Sequence, residues 1–188
     1  MPFLPSLPET AHLSDLFGQF PRGVAPLMEY TDAVLRDEGE LSIAERELIA
    51  TYTSALNACT FCYGAHKIYA EAFGISEEMI ETLVADPDAV EGLDKLKPIL
   101  RYVQKLNTLP AKIVPADAQA VYDAGWSEEA LYEATLVCSL FNMMNRIIEG
   151  TGVNFDYAGN EGVHSMNKDT ADPASHTYSA YGKRITTE

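Results

Sequence analysis

The stretch that decides the fold is Glu47–Gly74, which reads E-L-I-A-T-Y-T-S-A-L-N-A-C-T-F-C-Y-G-A-H-K-I-Y-A-E-A-F-G. It contains two of the three cysteines, Cys59 and Cys62, and one of the four histidines, His66. Residues three or four positions apart share one face of an α-helix, so a helix over this motif places the two thiols and the imidazole side by side. Because two cysteines in that relation are within disulfide reach, the stretch predicts thiol redox chemistry.

Local signals divide this region into two helices. Ser42 and Glu45 form a capping-box pattern, so we expect a first helix over residues 43–56. Asn57 is expected to cap a second helix, which Gly74 then closes as a C′ glycine.

The spacing around this break predicts which side chains meet. Residues equally far from the turn of an antiparallel helical hairpin face each other. Glu47 lies ten residues before Asn57 and His66 lies nine after it, so their side chains should come out level. This predicts a chain of groups in which Glu47 orients His66, His66 serves the Cys62 thiol, and Cys59 stands next to Cys62.

Each residue type in the motif has a chemical reason to be there. The thiolate is the nucleophile, and both a helix N-terminus and a nearby imidazole favour that anion. A second cysteine can resolve the oxidised first one as an intramolecular disulfide, which prevents irreversible over-oxidation.

Other uses of a CxxC pair require further residues near it. A structural zinc site usually needs two further ligands, and only His66 and Glu47 are near enough in sequence, so a metal-binding or redox-sensing module stays an alternative. A c-type haem needs histidine directly after the second cysteine, where this chain has Tyr63. A thioredoxin-like motif needs a βαβ pattern, and the sequence shows none.

The motif resembles a known family. Glu47, Cys59, Cys62 and His66 match the E-x11-C-x2-C-x3-H signature of the alkylhydroperoxidase D family, which belongs to the carboxymuconolactone decarboxylase superfamily. The preceding S-x-A-E-R-E-L and the later F-N-M-M-N-R at 141–146 resemble its peroxidase-related branch. The resemblance extends approximately from position 20 to position 155.

The resemblance implies an all-α helical bundle, a homo-oligomer (trimer or hexamer), a hydroperoxide substrate and an external dithiol reductant. Carried over by position, Cys62 is the more reactive thiol, Cys59 is its partner, and His66 and Glu47 form a proton relay. We expect no cofactor and no bound metal.

Two features of the family bear on this assignment. Well-known hydroperoxidases of the family have a histidine between the two cysteines, where this chain has Phe61. The decarboxylase branch generally lacks the cysteine pair, so acid–base chemistry by His66 and Glu47 is the alternative enzymatic function.

Bulk properties limit the remaining possibilities. The 188 residues are 47% hydrophobic, which is enough chain for one compact domain with a substantial core. A formal net charge of −15 argues against nucleic acid and anionic membranes as partners. Three cysteines, the lack of a signal-peptide pattern and the lack of a long apolar run predict a cytoplasmic protein.

The chain is expected to form a single domain over residues 1–188. We expect an extended arm at 1–13, a helical core at 14–150, and a C-terminal extension at 151–188 that packs on the core or on a neighbouring subunit. Apolar periodicity and capping signals predict further helices, at 14–20, 24–35, 76–84, 93–107, 116–123 and 127–149. The pair at 115–125 and 127–149 loosely echoes the two motif helices, which suggests a weak internal repeat.

The helix predicted at 127–149 is apolar almost all round, which indicates burial on every side, in the core or between subunits. Cys138 lies within it and is expected to be an inert buried thiol. Asn142, Asn145 and Arg146 need polar partners there, and ordinary structural hydrogen bonding is favoured over a place beside the cysteines.

The C-terminal extension contains more aromatic residues than a free tail usually does. Tyr157, Tyr178 and Tyr181 therefore predict that it packs against the protein. His164 and His176 are expected on the surface.

Overall fold

A computed structural model describes residues 1–158 and 177–186 of the chain. Within these ranges it contains α-helices, one 3₁₀ turn and no β-strand. The prediction of an all-α fold is confirmed. The helices are α1 (Leu13–Gln19), α2 (Val24–Leu35), α3 (Ile43–Leu56), α4 (Thr60–Ala72), α5 (Glu77–Ala85), α6 (Lys97–Thr108), α7 (Pro115–Asp123), α8 (Glu128–Thr151) and α9 (Tyr178–Thr186), with the 3₁₀ turn at Pro110–Lys112.

The hairpin of α3 and α4 forms as the sequence predicts. The Ser42 hydroxyl accepts from the Glu45 N–H at 3.2 Å, and the Glu45 carboxylate accepts from the Ser42 N–H at 2.8 Å, which completes the capping box. Gly74 follows the last turn of α4 with φ of 99°, a conformation that glycine adopts without steric cost.

The predicted capping role of Asn57 is wrong. Asn57 ends α3, and its side-chain amide instead donates to Asn145 of α8 at 2.8 Å and to Asn107 of α6 at 3.2 Å. Ala58 then adopts a left-handed backbone conformation with φ of 53°. This sharp turn moves the N-cap position of α4 to Cys59.

The structure also shortens α6 relative to the prediction of 93–107. The helix begins at Lys97, with Pro98 in its first turn, because proline is tolerated only where its missing N–H would be unpaired anyway. Leu93 and Leu96 precede it in a tight turn, in which the Leu96 N–H donates to the Leu93 carbonyl at 2.8 Å. Both leucines still pack against the core, which is why their spacing resembled that of a helix.

Helix α3 lies at the centre of the bundle. It packs against α4, α5, α6 and α8, and Leu48, Ile49 and Ala50 have no solvent exposure. The contact between α3 and α4 is the most extensive of these, whereas α7 and α8 touch much less. The internal repeat therefore stays a prediction.

Helix α8 is not buried on every side within one protomer. Ala134, Val137 and Phe141 face the core, but Tyr132 is 59% exposed and Met143 is 41% exposed. Burial of this exposed stripe between subunits stays a prediction.

Helix α9 lies against α2 and α1. Its N-terminus is capped from another helix, since the Asp32 carboxylate of α2 accepts from the Tyr178 N–H at 2.7 Å and from the Ser179 N–H at 2.8 Å. Across the described parts of the chain, no helix combines the length and apolarity that a membrane span requires.

Candidate active site

The two cysteines of the motif lie at the beginning of α4. Cys59 is the N-cap residue with no solvent exposure, and Cys62 is in the first turn with 3% exposure. Both are free thiols. The strained Ala58 immediately before them fixes the direction of α4 and so sets the position of the pair.

The two thiols influence each other directly. A hydrogen bond with Cys59 is the largest cause that raises the pKa of Cys62, followed by burial. A hydrogen bond from Asn145 on α8 acts in the opposite direction and favours the thiolate. In the reduced state Cys62 is thus held as a thiol, and a base must remove its proton before it can act as a nucleophile.

The predicted meeting of Glu47 and His66 occurs. The Nδ1 atom of His66 lies 2.6 Å from Oε2 of Glu47, and the carboxylate has no solvent exposure. With Nδ1–H donating to the carboxylate, Nε2 is the ring nitrogen left to act on a ligand. The His66 ring also packs edge-on against Phe141 of α8, with the centroids 4.4 Å apart.

Arg36 completes this pair and was missed by the sequence reasoning. Its Nη1 atom lies 2.5 Å from Oε1 of Glu47, whereas His66 contacts the other carboxylate oxygen, Oε2. The guanidinium lies 5.1 Å from the centroids of both Tyr69 and Tyr178, within the range of cation–π attraction. Arg36 directly follows α2, and no local sequence signal links it to the motif.

These charges decide the protonation of Glu47. Burial alone would raise the pKa of this carboxyl, but the charges of His66 and Arg36 and their hydrogen bonds outweigh it, so its pKa is lowered. The carboxylate therefore stays ionised inside the protein and holds the His66 imidazole in one orientation.

A cavity of about 370 Å³ lies beside the thiols and the imidazole. Cys62 and His66 both line it, one helical turn apart on α4, whereas Cys59 lies behind Cys62 and does not. Residues from α1, α2, α8 and α9 form the other walls, and most of them are apolar, including Met28, Leu140 and Met144. Such a cavity suits a small organic molecule with an apolar body.

Of the polar residues of α8, Asn145 lies beside the cysteines, whereas Asn142 makes ordinary structural hydrogen bonds. Asn145 donates to Ser54 at 3.2 Å, accepts from Asn57 at 2.8 Å and also bonds Cys62, so it does belong to the cysteine site. Asn142 instead bonds Asn107 at 2.6 Å and the backbone of its own helix.

Arg146 and Cys138 lie apart from the cysteine pair. Arg146 folds back onto Asn142, so ordinary structural bonding accounts for it. Cys138 is 1% exposed, and burial raises its pKa to about 11.

Phe61, between the two cysteines, is covered by two aromatic residues that the sequence reasoning did not place at the site. His12 contacts it edge-on with centroids 5.1 Å apart, and Tyr157 lies 5.3 Å away. Both His12 and Tyr157 line the cavity.

His164 and His176 lie outside the described residues.

Among the described residues, no group of three or more His, Cys, Asp or Glu side chains is arranged to hold a metal ion.

Comparison with known proteins adds two kinds of information. Residues 21–105 match the model of the carboxymuconolactone decarboxylase family. The uncharacterized protein YdfG of Bacillus subtilis (strain 168) is 26% identical over 110 residues, which are 58% of this chain and 75% of YdfG.

Solved structures share the fold. An uncharacterized peroxidase-related protein with an alkylhydroperoxidase AhpD core, from Ralstonia eutropha JMP134, superposes with a TM-score of 0.73 at 20% identity, over 82% of this chain and 79% of the other. A peroxidase-related protein from Silicibacter sp. TM1040 gives 0.72 at 22% identity, over 80% of each chain. ATU0492 of Agrobacterium tumefaciens, a protein of unknown function, gives 0.63 at 20% identity, over 74% and 94%.

The family-model match confirms the resemblance to the carboxymuconolactone decarboxylase family over residues 21–105, and the solved structures confirm the helical fold that the motif implied.

Proposed function

We propose that this protein is a thiol peroxidase. Its residues 21–105 match the carboxymuconolactone decarboxylase family, and its helices have the AhpD-like fold. It reduces hydroperoxides through a dithiol–disulfide cycle of Cys59 and Cys62. One observation carries the proposal. Two free thiols touch at the start of α4, and the outer one shares a cavity wall with a histidine held by a buried carboxylate.

The roles of the two thiols follow from their positions. Cys62 lines the cavity and is the attacking thiol, whereas Cys59 has no exposure, lies behind Cys62 and is hydrogen-bonded to it. His66 takes the proton of Cys62 through Nε2, and Glu47 keeps the imidazole in the required orientation.

The reaction balances in three steps. The Cys62 thiolate attacks the outer oxygen of the hydroperoxide, the O–O bond breaks, and an alcohol leaves with a sulfenic acid on Cys62. The Cys59 thiol attacks that sulfur, releasing water and forming the disulfide. An external dithiol then reduces the disulfide and is itself oxidised.

The cavity supports an organic hydroperoxide as the substrate, because its walls are largely apolar and its volume exceeds what hydrogen peroxide fills. We propose a closed homo-oligomer, in which the exposed stripe of α8 with Tyr132 and Met143 is a candidate contact. Three free cysteines suit a reducing compartment, so the cytoplasm is the proposed location.

The proposal is tested by thiol titration and intact-mass measurement before and after one equivalent of cumene hydroperoxide. We expect loss of two thiols and of the mass of two hydrogen atoms, both reversed by dihydrolipoamide. Cys62→Ser should abolish the reaction, and Cys59→Ser should stop it at a sulfenic acid on Cys62.

Cys138→Ser is the matched control, because Cys138 is buried outside the cavity and its replacement should leave the cycle intact. Wild-type thiols that remain unchanged after exposure to the hydroperoxide would refute the proposal.

Acid–base chemistry of the decarboxylase kind is the second candidate. The Glu47–His66 pair favours it, since a carboxylate and an imidazole at 2.6 Å beside a cavity can move protons without any thiol. The double variant Cys59→Ser/Cys62→Ser separates the two functions, because an acid–base activity would survive it and a peroxidase would not.

A further inference from the structure

His12 and Tyr157 meet over the cysteine motif although they are 145 residues apart in sequence. Hydrogen bonds tie the N-terminal arm to the segment after α8. The Phe155 N–H donates to the Ala11 carbonyl at 3.0 Å, the Ala11 N–H donates to the Asn154 side chain at 2.9 Å, and Asn154 donates to the Glu9 carbonyl at 3.0 Å. These hydrogen bonds place the side chains of His12 and Tyr157 at the cavity wall.

The hydrogen bonds around His12 fix its tautomer. His12 is the N-cap of α1, and its Nδ1 accepts the Ser14 N–H at 3.2 Å. In the neutral ring the proton must then be on Nε2, which lies 2.8 Å from the Tyr157 hydroxyl. His12 therefore donates to the Tyr157 oxygen, and the hydroxyl proton of Tyr157 is not used in that bond.

Tyr157 is held close to the reactive thiol. Its Cβ packs on Gly64, where an added Cβ would approach it to 2.9 Å, so only glycine lets it lie this close to α4. Cys62 is near enough to Tyr157 to perturb it electrostatically, and both line the same cavity.

We propose that Tyr157, held in place by His12, is the acid that protonates the oxygen leaving the hydroperoxide when Cys62 attacks. This inference rests on the proposed function. It adds Tyr157, which packs against Phe61, as a second proton-transferring group besides His66. His12 is the positioning residue of the couple, and Tyr157 is the catalytic one.

The proton balance of the step closes. Cys62 has given its proton to His66, and its sulfur supplies the electron pair that forms the S–O bond while the O–O bond breaks. The leaving alkoxide takes the hydroxyl proton of Tyr157 and departs as the alcohol. The Tyr157 phenolate, stabilised by the Nε2–H of His12, regains a proton from solvent as His66 releases the one that it took.

The physical chemistry suits this role. Burial is the main cause that raises the pKa of Tyr157, with smaller contributions from Tyr181, Tyr69 and Cys62, so its hydroxyl is protonated before the attack. An alkoxide is a stronger base than a phenolate, so the transfer is downhill once the O–O bond begins to break.

The test compares two oxidants whose leaving groups differ in their need for a proton. Cumene hydroperoxide expels an alkoxide, which needs one, whereas peroxybenzoic acid expels a carboxylate, which does not. In Tyr157→Phe we expect the rate of Cys62 oxidation by cumene hydroperoxide to fall by about 100-fold, the size of a typical general-acid contribution, while the rate with peroxybenzoic acid is unchanged.

Two further variants separate catalysis from structure. His12→Asn keeps a good N-cap for α1 but removes the donor to Tyr157, so it should show a smaller loss that is again confined to cumene hydroperoxide. Tyr181→Phe, another cavity tyrosine, should alter the rates with both oxidants in the same proportion. Thermal unfolding of each variant checks that its fold is retained.

Equal loss with both oxidants in Tyr157→Phe, or no loss with either, would overturn the role of Tyr157 and leave the peroxidase proposal standing. A wild-type protein that reacts with neither oxidant would instead refute the peroxidase proposal, and the inference would fall with it.

Discussion

Replacing Arg36 by methionine removes a cation that lies 2.5 Å from the buried carboxylate of Glu47. The Arg36 side chain is 7% exposed and that of Glu47 is fully buried, so neither water nor another cation can easily replace it. Methionine keeps an apolar side chain of similar reach, and its sulfur still packs well against aromatic rings such as Tyr69 and Tyr178. The change therefore removes mainly the charge.

The expected loss in the free energy of unfolding at neutral pH is about 3 kcal/mol, the low end of the usual cost of breaking a buried ion pair, because Glu47 keeps its 2.6 Å contact with His66. This is a large share of the roughly 5–15 kcal/mol that stabilises a typical domain. The exposed pair of Arg101 and Asp88, whose side chains are 57% and 60% exposed, offers a matched control. Arg101→Met should cost at most about 1 kcal/mol, because solvent screens the pair.

The pH dependence of the loss has a definite sign. The pKa of Glu47 is lowered in the folded protein, so its contribution to stability is present above the unfolded pKa and is lost as pH falls through the folded pKa. Arg36→Met removes one cause of that lowering, so the variant should begin to lose stability at a higher pH than the wild type. The difference in stability between the wild type and the variant should then shrink in acid, where Glu47 is protonated in both proteins.

Urea unfolding at one fixed protein concentration measures this, because association would otherwise shift the apparent stability. Trp126 is the only tryptophan and is 7% exposed, so its fluorescence reports the transition. A loss no larger than that of Arg101→Met, or one independent of pH, would refute the ion-pair argument. In a double-mutant cycle with Glu47→Gln, the two losses should add to more than the loss of the double variant, because either single change already breaks the contact between Arg36 and Glu47.

Two shorter predictions concern the cysteine face of α4. Gly64→Ala would place a Cβ 2.9 Å from Cβ of Tyr157, so we expect a loss of about 1–3 kcal/mol in urea unfolding from overpacking; a variant as stable as the wild type would show that this segment yields freely. Cys59→Ala removes the largest cause that raises the pKa of Cys62, so the pH profile of Cys62 alkylation by iodoacetamide should move to lower pH. A profile unchanged or moved upward would contradict the thiol–thiol contact.

Part of the site could be predicted because it depends on short-range geometry. The Ser42 cap and the Gly74 end fix the limits of a helical hairpin, and within a hairpin the distance from the turn decides which residues meet. Glu47 and His66 were therefore paired correctly from spacing alone. The prediction failed at Asn57, because its side chain bonds α6 and α8, which local sequence cannot reveal.

The sequence by itself determined an all-α chain, the helical hairpin and the alignment of Cys62, His66 and Glu47, since helix periodicity and capping act over a few residues. Only the tertiary structure decided that Arg36 forms an ion pair with Glu47 and that Nε2 of His12 lies 2.8 Å from the Tyr157 hydroxyl. These contacts join segments that are distant in sequence. They form because separate apolar faces pack into one core, and that packing, rather than any local pattern, sets which polar groups meet at its edge.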